Sequence, residues 1–120
     1  MQTIKIKNSD LLRARLVLAV VSLEFCIPDM PLHYKRGGNS QLTFARQIAI
    51  YLTHTVYQLT YARVARTYRR DPSTVAYACR VIEDSRDDPM LDAQLSKLEA
   101  LLDMAPIPAP ELDEIEGASL

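Results

Sequence analysis

From Pro31 to Arg70 the chain contains no aspartate and no glutamate. It has no tryptophan, three glycines, two cysteines and two histidines. Each scarcity removes a class of function. Gly37, Gly38 and Gly117 cannot spell GxxxxGK[ST], so no phosphate-cradling nucleotide loop exists in this sequence. Cys26 and Cys79 form no CxxC pair, and with His33 and His54 at scattered spacing they make no zinc site. Both thiols are expected to be buried small apolar residues. Neither histidine has a nucleophile or metal partner at useful spacing, and Glu83-Asp84 and Asp87-Asp88, near Arg80 and Arg86, read as a solvated charged face. No catalytic residue, metal, cofactor or small-molecule substrate is therefore expected. The longest apolar run, Leu16 to Leu23, is bracketed by Arg15 and Glu24 and falls well short of the roughly 20 residues of a membrane span. It also starts too far behind a mixed polar N-terminus for a signal peptide. A cytoplasmic protein with no membrane contact is the expectation.

What the chain does have is charge sorted by position. At 120 residues, with 48% apolar and 24% charged residues, it fits one soluble globular domain. Its net charge of −1 conceals a segregation. Lys35, Arg36, Arg46, Arg63, Arg66, Arg69 and Arg70 fall in the acid-free segment, whereas residues 81–120 hold eleven acids against Arg86 and Lys97. One segment suits an anionic partner and the other does not.

The pattern is all-α, with about five helices. Residues 1–8 read as a flexible N-terminus. Ser9 is placed to cap a helix over about 10–26, with Leu12, Leu16, Ala19 and Leu23 as its apolar stripe. A basic loop, LHYKRGGNSQ, leads to a helix of about 42–57 that turns Phe44, Ile48, Tyr51, Leu52 and Thr55 or Val56 to one side. Thr60 caps a short helix ending near Tyr68, inward through Val64, Ala65 and Tyr68. Arg69-Arg70-Asp71 is a tight turn into a helix of about 72–86. Asp88-Pro89 opens the last helix, about 89–103, with Leu91, Leu95, Leu98 and Leu102 inward. The helical domain spans 9–104, and the Pro-rich, then acidic, residues 105–120 read as a disordered tail. Tyr51, Tyr57, Tyr61 and Tyr68 are expected in or half in the core.

TYRRDPSTVAYACR, Thr67 to Arg80, carries the functional question. Val75, Ala78, Cys79 and Ile82 take the inward face of its helix, which leaves Ser73, Thr74, Tyr77 and Arg80 outward near the start. An Asp N-cap with Pro next is an ordinary helix start, its carboxylate accepting an amide proton, and Asp88-Pro89 repeats it elsewhere. The setting is more specific. Arg63, Arg66, Arg69 and Arg70 precede a helix N-terminus bearing small hydroxyls, the layout of a helix-turn-helix.

ARQIAIYL at 45–52, RDPSTV at 70–75 and ACRVI at 78–82 resemble domain IV of the bacterial replication initiator DnaA, over roughly residues 10–85. The ending CRVIEDSRDDPMLD is also similar to stand-alone DnaA-related regulators of the HdaB-like group. The resemblance implies a Trp-repressor-like helix-turn-helix bundle, the motif itself at about 60–86, and a double-stranded DNA partner at an origin region or non-specifically. It further implies Lys35 and Arg36 for a minor-groove and phosphate loop, Gln47 for a phosphate, and Asp71, Ser73 and Thr74 for the major groove and adjacent backbone. Several positions depart from the family pattern. Pro72 and Tyr77 replace histidines, Tyr61-Ala62 stand for Leu-Pro, Gly37-Gly38 stand for arginines, and the turn is one residue shorter and lacks a glycine. One lost base contact costs about 1–3 kcal/mol. Two or three such losses, about 3–6 kcal/mol, would consume much of a specific-over-nonspecific margin of about 4–10 kcal/mol. Specificity for the DnaA box, the DNA sequence that domain IV of that family binds, is then eroded or redirected while phosphate attraction survives. Two functions stay open: a DNA-binding regulator of replication initiation, or an adaptor that contacts DnaA or an Hda-type AAA+ ATPase. Both require the cationic segment and the front of the fourth helix to share one surface, away from the acidic end.

Overall fold

The computed structural model describes residues 6–28, 30–33 and 40–106. Five helices account for most of them: α1 (Asn8–Glu24), α2 (Ser40–Tyr57), α3 (Tyr61–Tyr68), α4 (Pro72–Ser85) and α5 (Pro89–Met104). No strand occurs among the described residues, and none of their helices is long and apolar enough to cross a membrane. The flexible-terminus and tail expectations fall mostly on residues 1–5 and 107–120, outside the described residues.

The centre is α2. Every residue from Ala45 to Thr53 except Gln47 is buried, so this helix is enclosed nearly all round rather than along one stripe. α1 packs on it through Ala14, Val17, Leu18 and Val21, and α4 packs on it through Val75, Ala78, Cys79 and Ile82. Leu91, Leu95, Leu98 and Leu102 close the core from α5, the line that their spacing predicts. Thr53 and Tyr68 solve the polar problem inside it. Their hydroxyls lie 2.8 Å apart, and Thr53 also donates to the Ala49 carbonyl at 2.8 Å. Burial pushes the Tyr68 phenol well above its ordinary range.

Four expectations about α1 and about side-chain burial need correction. The first is the inner face of α1. Leu12, Ala19 and Leu23 are exposed and Leu16 is half-buried, while Asp10, Ala14, Val17 and Val21 face inward. Both lines satisfy helical spacing, because α1 is apolar nearly all round and residues two apart differ by about 200° in direction. Asp10 decides between them. It is 3% exposed, and it is bound by Arg63 of α3, which fixes the rotation of the helix. The second correction is that Ser9 is a buried residue inside α1, and Lys7 occupies the N-cap with no side-chain cap bond. The third is Cys26, which is exposed rather than buried. It follows α1 with φ 56°, and the Ile27 amide returns 2.9 Å to the Ser22 carbonyl. The fourth is Tyr61, at 40% exposure a surface residue, unlike buried Tyr51 and Tyr68. Its ring leans on His54, 4.6 Å between centroids.

Candidate nucleic-acid interface

α3, a three-residue turn and α4 form the front of the molecule. α3 starts because the Thr60 hydroxyl accepts from the Arg63 amide at 3.2 Å. It stops because Arg69 turns left-handed, φ 56° and ψ 52°. The Arg70 amide then reaches the Ala65 carbonyl at 2.8 Å, and the Arg69 amide the Arg66 carbonyl at 3.3 Å. An arginine performs the reversal usually given to glycine, which accounts for a turn with no glycine.

α4 follows with Pro72 in its first turn and Asp71 at the N-cap. Asp71 does not cap as its sequence context suggests. Its carbonyl accepts from Thr74 and Val75, at 2.9 and 3.2 Å, but its carboxylate makes no cap bond. Asp88, in the matching position of α5, does cap, accepting from the Met90 amide at 3.0 Å. Two identical Asp-Pro starts thus differ: the Asp71 carboxylate faces solvent, where it can accept from a base amino group such as cytosine N4 but repels phosphate.

Ser73, Thr74, Tyr77 and Arg80 are all exposed, with Tyr77 at 58%. Arg69, Arg70, Asp71 and Thr74 line one shallow concavity at the turn. Arg66 is exposed on α3, its Nε donating at 3.4 Å to the Ala62 carbonyl one turn back. Gln47 is half-buried on α2. Lys35 and Arg36 lie outside the described residues. His33, two places before Lys35 in the sequence, has Nε2 at 3.2 Å from the Thr67 carbonyl, in the last turn of α3.

Two arginines of the acid-free segment are not part of this front. Arg63 sits in a fork with Asp10, Nη2 to Oδ1 at 2.8 Å and Nε to Oδ2 at 3.2 Å. Its charge serves α1–α3 packing and is offset by a carboxylate that is nearly buried. Arg46 is buried, at 6% exposure. Sequence spacing gives no sign of the first pairing, since Asp10 and Arg63 are 53 residues apart. Other ion pairs hold α5 in place. Arg86 is bound by Asp92 at 2.6 Å and by both oxygens of Glu99, and Lys97 by Glu24 at 2.7 Å. Among the described residues no group of three or more His, Cys, Asp or Glu side chains could hold a metal ion.

This geometry, a capped short helix, a tight left-handed turn and a second helix with its polar start outward, coincides with what known proteins share with the chain. Residues 14–82 match the family described as bacterial dnaA protein helix-turn-helix. The chain belongs to that DnaA helix-turn-helix family. Over 88 residues it is also 34% identical to the chromosomal replication initiator protein DnaA of Desulfotalea psychrophila. The aligned stretch covers 72% of this chain but only 18% of that protein. No solved structure matches the chain. As a DnaA-type helix-turn-helix, the chain places α3 as the supporting helix and α4 as the helix with the outward polar start; the matched residues take in all of α3 and α4 as far as Ile82.

Proposed function

We propose that this DnaA-related helix-turn-helix protein binds double-stranded DNA through α3, the turn and α4, with reduced or altered sequence preference, and thereby regulates initiation of chromosomal replication. The observation that carries the reading is the concavity of Arg69, Arg70, Asp71 and Thr74 beside the exposed start of α4. A phosphate there meets guanidinium groups, a hydroxyl and the positive end of a helix, set against the single carboxylate of Asp71. Arg66, Arg69, Arg70 and Arg80 supply the phosphate contacts. Ser73, Thr74, Tyr77 and Asp71 face the bases. Lys35 and Arg36 extend the contact along the backbone, supported by the His33 bond to the end of α3. Gln47 adds a phosphate contact from α2. Arg63 contributes through its hold on α1 rather than by free charge. Residues 9–104 form the DNA-binding domain.

Pro72 and Tyr77 support the altered preference. Pro72 offers a groove no donor and no polar side chain, and Tyr77 is bulky and outward. Anisotropy titrations of a DnaA-box duplex and a scrambled duplex at physiological salt test both halves. Near-equal affinities, with a log–log salt slope of about −4 for four or five phosphates, are expected. A slope near zero refutes DNA binding, and a preference of 1,000-fold or so for the box refutes the altered specificity.

The same two substitutions favour a second reading, an adaptor that contacts DnaA or an Hda-type AAA+ ATPase. An exposed proline and tyrosine suit a protein surface better than a base edge. Co-purification with nuclease added separates the two. Partners that persist after nuclease support the adaptor, and partners that vanish with the DNA remove it.

A further inference from the structure

α1 carries two apolar faces, and the fold uses one. Ala14, Val17, Leu18 and Val21 are buried, while Leu12, Leu16, Ala19 and Leu23 run along the far side, Leu12 44% and Leu23 78% exposed. A surface helix ordinarily keeps that side polar. α5 widens the face. It packs beside α1, with Gln94 and Lys97 bonded to Glu24 in the last turn of α1. Gln94, Lys97, Leu101 and Met104 follow one another along a single edge of α5, the edge that reaches α1. Leu101 is 50% and Met104 84% exposed there.

We propose that this α1–α5 face is where two copies of the chain pair, α1 against α1 in antiparallel fashion about a two-fold axis. Three observations point to a second copy. First, the steps from Leu12 to Leu16, Ala19 and Leu23 are four, three and four residues, a spacing that reads alike in both directions and matches the seam of paired helices. A two-fold between Val17 and Leu18 sets Leu12 across from the partner's Leu23 and Leu16 across from the partner's Ala19, so each large side chain has a place to go. Second, the last turn of α1 holds no basic residue. Antiparallel pairing about that axis sets the partner's Arg15 across from Val20, one turn before that negative helix end, whereas parallel pairing sets Arg15 against its own copy. Third, the area is sufficient. Two helices of 17 and 16 residues present a face of about 25 by 20 Å, roughly 1,000 Å² counted over both copies, the threshold for a specific interface. That lies below the roughly 1,600 Å² of a standard complex, so the dimer is reversible, with Kd in the range of about 1–100 μM. α2 stands between α1 and α4, so pairing leaves the front of α4 open, and the inference holds whether or not that front binds DNA.

Sedimentation of the full chain from about 1 μM to about 1 mM should show a monomer–dimer equilibrium in that range. Leu12→Glu and Leu23→Glu should each weaken it by about 30-fold or more, without loss of helical circular dichroism, because both side chains are exposed and neither packs against the core. In a Cys26→Ser background, the double variant Leu12→Cys/Leu23→Cys should form an intermolecular disulfide under mild oxidation. Leu23→Cys alone should not, since the two copies of residue 23 lie about 16 Å apart along an antiparallel pair, beyond the roughly 7 Å Cα limit of a disulfide. A chain monomeric at about 1 mM, whatever else covers the face, overturns the proposal. So does a dimer indifferent to Leu23→Glu, or a single-cysteine variant that cross-links as readily as the double one.

Discussion

Arg69 and Arg86 flank the two ends of α4, and the fold puts the same side chain to opposite uses. Arg86 is committed in every direction. It bonds Asp92, Glu99, Ser96 and the Tyr51 hydroxyl, and it lies over the Tyr51 ring at 6.0 Å. The Glu99 carboxylate above all keeps its proton on, far beyond the ordinary arginine value. That cluster ties α2, α4 and α5 together. Arg69 stands exposed in a left-handed turn, next to an exposed carboxylate and two exposed hydroxyls. The contrast separates a cation that stabilises from a cation that is available. Charge segregation along the sequence matters for function only where the fold leaves the charges available, and Arg63 and Arg46 show that it does not do so everywhere.

Disrupting the clamp should give the largest effect. Arg86→Met leaves Asp92 and Glu99 without their shared cation and should cost about 2–3 kcal/mol in urea denaturation, with affinity for duplex DNA unchanged below the unfolding midpoint. A fall in DNA affinity as large as the fall in stability would erase the distinction between the two ends of α4. Charge reversal at the other end should do the converse. The pair Arg66→Glu/Arg69→Glu should lower affinity at about 0.1 M salt by roughly 30-fold or more and flatten the salt slope by about 2, with Tm nearly unchanged. Between the two ends, the inward face of α4 holds Cys79, and burial first, then Glu83, pushes its thiol up to about 11. The folded chain then keeps a proton that the unfolded chain releases from about pH 9, so stability falls as pH rises from about 9 to 11, by about 2 kcal/mol for this buried thiol. Tyr68, also raised, acts in the same direction. Urea midpoints at pH 8 and 10.5 check this, and Cys79→Ala should reduce the drop. The smallest effect sharpens the comparison most finely. Gln58 ends α2 with φ 53°, as Arg69 ends α3 with φ 56°. Glycine at either position should stabilise by about 0.5–1 kcal/mol by relieving the left-handed residue. Gln58→Gly should leave DNA affinity alone, while Arg69→Gly should weaken it, a stability gain and a binding loss from one substitution.

Elements with a single apolar stripe are legible from residue spacing alone. α3, α4 and α5 run within a residue or so of their expected bounds, and Val64, Ala65, Val75, Cys79, Leu95 and Leu98 point inward as expected. One strongly polar side leaves such helices a single way to face the core. The outward placement of Ser73, Thr74, Tyr77 and Arg80 follows from the same reasoning. α1 resists it, because two lines of apolar residues compete and periodicity cannot rank them. The Asp71 carboxylate resists it for another reason: Asp71-Pro72 and Asp88-Pro89 are the same dipeptide, and only local side-chain geometry separates a cap from an open carboxylate.

By itself, then, the sequence determined the helical class, the helix-turn-helix motif and its family, and the outward side of α4, all of them properties of neighbours within a few turns. Only the tertiary structure decided which arginines are available and which face of α1 is left over. Asp10 meets Arg63 across 53 residues and Arg86 meets Glu99 across 13. Pairings of that kind are set by how helices stack, and a buried carboxylate that must find a cation settles the stacking where hydrophobic spacing is ambiguous.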